Sequence, residues 1–154
     1  MINMTELMEI LKLLIAAALG TLGFSIIFYN HPRRLLPSTL GGLLTGGVYV
    51  IAIRLIGNEF LANLIAAFVG TTYSEICARR TFAPAVIYLV PCIIPLAPGG
   101  ALYYTMSHIV SGNYASALQY GKTTFEVAFG IAGGLISASL IWSLARKSQR
   151  NSKA

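Results

Sequence analysis

LVPCIIPLAPGG, residues Leu89 to Gly100, decides how the rest of the chain is read. It holds three prolines and two glycines, residues that break or weaken helices, within otherwise apolar sequence. In lipid, an unpaired backbone N–H or C=O costs several kcal/mol, so a break at such a place needs shelter or a purpose.

The surrounding composition makes lipid the relevant solvent. Of 154 residues, 56% are hydrophobic and 10% charged, with a mean hydropathy of +0.72. Soluble domains carry about 25% charged residues. Aspartate is absent, and the acids are Glu6, Glu9, Glu59, Glu75 and Glu126. These values predict an all-α integral membrane protein, with residues 1–154 forming a single membrane domain. The net charge of +6 falls at segment ends, the pattern of membrane topology, so no nucleic-acid partner is expected.

Cys77 and Cys92 stand alone in apolar surroundings and read as small packing residues, with no metal site or disulfide framework expected. The acidic start MINMTELMEI lacks the basic region of a signal peptide, so the first apolar stretch is expected to remain as a membrane helix. No P-loop, HExxH, nucleophile elbow or GxGxxG fingerprint occurs, and neither an enzyme nor a cofactor is expected.

Roughly 20 helical residues cross the hydrocarbon core. On that scale the sequence predicts about five spans: residues 7–29, 37–56, 59–78, 84–110 and 123–145. Pro32 ends the first span, Pro37 starts the second, and Gly57-Asn58 marks the next turn. The fourth span contains LVPCIIPLAPGG and is therefore broken, either crossing or dipping in and returning. SGNYASALQYGK reads as a polar connection, with or without a short interfacial helix, and residues 146–154 as a basic cytoplasmic tail. Eight of the eleven basic residues lie on one side of this arrangement: Arg33, Arg34, Arg79, Arg80, Arg146, Lys147, Arg150 and Lys153. The positive-inside rule then puts the N-terminus outside and the C-terminus in the cytoplasm.

GLLTG (Gly42 to Gly46) and GIAGG (Gly130 to Gly134) carry the GxxxG spacing that lets helix backbones approach closely. Such faces bury against helices of the chain, another subunit, or a second copy. Lys122–Glu126 and Glu75–Arg79 have the i,i+4 spacing of helical ion pairs.

Within the broken span, Pro91 and Pro95 each remove a donor, and Pro98-Gly99-Gly100 stops the helix. One half-helix should end before Pro98 and another begin near Ala101. Freed carbonyls suit a cation and a helix N-terminus suits an anion, so a small zwitterion would satisfy both. A sheltered proline kink is the structural alternative. Tyr103 and Tyr104 follow the break, as polar-path residues or as interface anchors. Thr71, Ser74 and Glu75 form a second polar run, with Glu75 either functional or paired to Arg79.

Several stretches together resemble the threonine/serine exporter family: GFSIIFYNHPRRLL, GGLLTGG, FVGTTYSEICARRTFAP and IIPLAPGGALYYTM. The resemblance covers roughly Leu19 to Trp142 and is to the short subunit that corresponds to the C-terminal membrane half of fused exporters. It maps the family's motifs onto Gly23, Phe24, Asn30, Pro32, Gly70, Arg79, Pro84, Pro95, Pro98, Gly99 and Tyr103. The family's Phe-Asn-x-Pro reads here as Phe28-Tyr29-Asn30-His31-Pro32, one residue longer. The resemblance implies ion-gradient-driven export of small amino acids or of dicarboxylates across a bacterial cell membrane, with a larger membrane subunit as partner. The substrate path is expected along Pro91, Pro95, Pro98, Gly99, Gly100, Tyr103, Tyr104, Asn30, Thr71, Ser74, Glu75, Arg79 and Glu126.

Overall fold

The computed structural model describes residues 4–28 and 32–151; Asn30 lies outside the described residues. Six α-helices follow one another: α1 (Met4–Ile27), α2 (Pro32–Ile56), α3 (Glu59–Thr81), α4 (Val86–Ile93), α5 (Gly99–Val110) and α6 (Tyr114–Asn151). A 3-10 turn, Ile94–Leu96, extends α4. Four helices are long and apolar enough to cross a membrane, and the bent pair α4–α5 makes a fifth if it forms one span. The described chain is an all-α membrane protein with no strand.

Local signals account for most of the boundaries. Gly57 ends α2 at φ +67°, and Asn58 caps α3 by accepting a 3.1 Å bond from the Leu61 N–H. At the far end of α3, Phe82 takes the left-handed conformation and donates to the Ala78 carbonyl. The α2 helix starts at Pro32, so Pro37 sits inside it. It cannot donate to the carbonyl four residues back, which leaves one gap in the ladder in the second turn of the helix.

SGNYASALQYGK is shorter as a connection than its polarity suggests. Gly112 (φ +75°) ends α5, Asn113 accepts from the Ser116 N–H at 3.2 Å, and the remaining residues are the first turns of α6. Ala, Leu and Gln favour helix once a cap is in place. At 38 residues, α6 is roughly 57 Å long, well beyond one hydrocarbon thickness.

The α3 helix is the centre of the bundle, packing on α2, α4 and α6, while α1 lies against α2. The GxxxG faces are the seams. A Cβ on Gly42 would run into the Thr21 side chain of α1, and one on Gly46 would sit 3.3 Å from the Ala17 Cβ. On α6, a Cβ at Gly130 would lie 2.5 Å from the Phe60 carbonyl oxygen, and one at Gly134 would strike the Leu64 carbonyl. Backbone therefore meets side chain or backbone directly, the packing that small residues permit in membranes.

Four buried hydroxyls are satisfied within their own helices, whereas those of Ser25 and Ser38 have no partner among the described residues. Thr21, Thr45, Thr71 and Ser74 each donate to the carbonyl four residues earlier, at 2.6–2.8 Å. The α5 helix differs from the others: it packs chiefly on the start of α6 and buries none of its residues.

Candidate functional site at the helix break

The α4 helix tightens into its 3-10 turn because Pro95 cannot donate to the Pro91 carbonyl. Ala97 is then extended (φ −56°, ψ 129°), and Pro98 (φ −77°, ψ 47°) leads into α5. The two halves meet at 50°. A γ-turn across Pro98 bonds the Gly99 N–H to the Ala97 carbonyl at 2.7 Å, and the first bond of the new helix is Leu102 N–H to the Pro98 carbonyl, 2.9 Å. The break thus falls where the prolines and glycines require it.

It opens onto a cavity of about 190 Å³. Pro95, Leu96, Ala97 and Pro98 form one wall, with Ala101 of α5 beside them. Opposite stand Tyr49 of α2, Glu59 and Asn63 of α3, and Thr123 and Val127 of α6. The polar groups are linked. The Tyr49 hydroxyl donates to Glu59 Oε2 at 3.1 Å, and Asn63 Nδ2 donates to the Glu59 backbone carbonyl at 2.8 Å, with a longer 3.5 Å approach to Oε2. Glu59 is half-buried, whereas Asn63 is 1% exposed. A buried amide needs such bonds, and the pair is placed by the i,i+4 spacing on one face of α3.

A second cavity of about 260 Å³ lies between α1 and α2, lined by Leu13, Ala16, Ala17, Gly20 and Gly46. Tyr49 and Pro95 line both cavities and so form the wall between them.

The residues expected from sequence fall into separate places. Pro95 and Pro98 line the polar cavity; Pro91 is buried in α4, and Gly99 and Gly100 are exposed at the start of α5. Tyr103 and Tyr104 are exposed and belong to an aromatic row on the α5–α6 hairpin: Tyr103–Tyr104, Tyr104–Tyr120 and His108–Tyr120 lie 5.3–5.5 Å apart. Thr71 and Ser74 are buried in the bundle with their hydroxyls committed to α3. Glu75 and Arg79 line a different hollow at the α3–α4 end, where the Arg79 guanidinium lies 4.4 Å over the Trp142 ring. Glu126 faces an outer groove and pairs with Lys122 at 3.7 Å.

Tyr49, Glu59, Asn63 and Thr123 were not expected from sequence. Glu59 reads there as the first residue of a span, and the usable signal was Asn63 four residues on, an amide within apolar sequence.

The family model described as "Threonine/Serine exporter, ThrE" matches residues 13–141. The chain belongs to the threonine/serine exporter family. It is therefore a multi-pass membrane protein of exporter type, from a transporter family rather than an enzyme class. The matched region takes in the helix break and every residue lining the polar cavity. No solved structure matches the chain.

Proposed function

We propose that this chain is the small membrane subunit of a two-component secondary exporter for small amino acids, such as threonine and serine, or for organic acids. The observation that carries the reading is the break at Pro95–Gly100, whose bend opens onto a cavity holding a carboxylate, a phenol and an amide. Family membership supplies the exporter class. Irregular backbone at membrane depth is tolerated where it lines such a cavity, and discontinuous helices of this kind form transporter sites.

Alternating access would proceed by movement of α5 relative to α4 about Ala97 and Pro98, opening one cavity and then the other across the Tyr49–Pro95 wall. A larger membrane subunit would cover α5, whose Leu102, Met106 and Val110 are exposed. In a bacterial cell membrane the N-terminus would lie outside and the basic C-terminus in the cytoplasm.

The test is efflux from dipeptide-loaded cells expressing this chain and its companion subunit, singly and together. Export of threonine, serine or succinate only with both is expected. Export by this chain alone would replace the two-component reading with a self-assembled pore. No change with any combination would remove the exporter reading for these solutes.

A further inference from the structure

Glu59 is the one charged residue lining the polar cavity. No described basic side chain forms an ion pair with Glu59. Both side-chain bonds that reach its carboxylate go to Oε2, from Tyr49 and Asn63, and Oε1 receives none from any described residue. A half-buried carboxylate without a counter-ion keeps acceptor capacity unfilled, and this one faces a small cavity.

A capping role alone would not explain this arrangement. Asn58 already caps α3, and the Glu59 side chain is held by a hydroxyl from another helix. With Oε2 fixed by two donors, Oε1 is left for a third donor from the cavity. A cationic donor completes the set best, because a charged hydrogen bond is about twice as strong as a neutral one. A second carboxylate at the same place would be repelled. At about 190 Å³ the cavity falls below the roughly 300 Å³ where drug-sized sites begin, which limits the occupant to a small solute.

We infer that Glu59, positioned by Tyr49 and Asn63, is the specificity-determining residue of the cavity and binds the ammonium group of the transported solute, selecting amino acids over dicarboxylates and other acids without an amine. The inference rests on the exporter reading above. Tyr49 and Asn63 are positioning residues, since they act on the solute through the Glu59 carboxylate.

The test uses inside-out membrane vesicles from a strain that lacks the chain but retains its other membrane proteins, complemented with wild type, Glu59→Gln or Glu59→Asp. Uptake of radiolabelled threonine is compared with that of 3-hydroxybutyrate, which is threonine without its ammonium group. Wild type should prefer threonine about tenfold or more, the range set by one charged hydrogen bond. Glu59→Gln should bring the two solutes to within about threefold of each other, and Glu59→Asp should keep most of the preference. Because both solutes are measured in the same vesicles, the ratio is independent of how much protein reaches the membrane.

Equal uptake of the two solutes by wild type overturns the inference without any variant. So does an unchanged ratio in Glu59→Gln, or an equal loss of preference in Glu59→Asp. If wild-type vesicles take up no more threonine than the deletion strain, the exporter reading itself fails and this inference fails with it.

Discussion

Glycine serves opposite ends in the α3–α6 seam and at the helix break. At Gly130 and Gly134 there is no room for even a methyl group, because the backbone of α3 occupies the space. At Gly99 and Gly100 a Cβ would meet nothing within 4 Å. In the seam, glycine removes bulk so that two helices close. At the break, glycine and proline together stop one helix and start another beside an opening. The seam should thus answer to stability and the break to transport.

The largest effect is expected at the seam. Gly134→Leu drives a branched side chain into the Leu64 carbonyl and the Ala67 Cβ, 2.8 Å from where its own Cβ would lie. Overpacking typically costs about 1–3 kcal/mol, and more where backbone must move. The protein should be lost from the membrane, or melt well below wild type in detergent by fluorescence-detected size exclusion. Gly100→Ala should leave the same measurement unchanged. Equal destabilisation by both would show that the two regions do not differ as described.

The break should separate in the other direction. Pro98→Ala gives back a backbone donor and relaxes the restriction on Ala97, which favours a continuous α4–α5 helix. Transport should fall about tenfold, the consequence of roughly 1.4 kcal/mol against the active geometry, with membrane abundance unchanged. Transport equal to wild type, for Pro98→Ala and for Pro95→Ala, would reduce the break to a structural kink.

Much of the fold was legible because its determinants are local. The four long apolar helices follow from apolar length, and the bent α4–α5 pair from Pro91, Pro95 and Pro98, which act on their own backbone. The GxxxG faces were legible as close-approach surfaces, although their partners on α1 and α3 were not. The start of α6 is less legible, because Asn113 caps a helix that begins within sequence whose polarity resembles a loop.

The cavity was hardest to read because it joins four distant parts of the chain. Tyr49 and Glu59 face each other only because the Gly57-Asn58 turn folds α2 back on α3, and Thr123 lines the same cavity from α6. The polar residues that do stand out in sequence, Thr71 and Ser74, are bonded to their own helix. In lipid, hydroxyls this well satisfied serve packing as readily as transport.

Two smaller effects sharpen the contrast within the polar groups themselves. Tyr49→Phe keeps the wall between the cavities but removes a donor to Glu59. A lost hydrogen bond to a charged group costs about 1.5–3 kcal/mol when fully buried, and Glu59 is only half-buried. Threonine transport should therefore drop about three- to tenfold, with its preference over 3-hydroxybutyrate kept, since the carboxylate remains. Transport equal to wild type would mean that the Tyr49–Glu59 bond does not position the site.

The smallest effect should be at Lys122–Glu126, an i,i+4 pair at 3.7 Å whose side chains are 78% and 41% exposed. Exposed pairs of this kind contribute about 0.3–0.5 kcal/mol. Lys122→Ala should thus shift neither melting nor transport by more than about twofold. Glu126 and Glu59 are both acids near the α2–α3 turn, but only Glu59 lines the polar cavity. A transport loss in Lys122→Ala as large as that in Tyr49→Phe would move the charged part of the pathway from the cavity to the outer groove of α6.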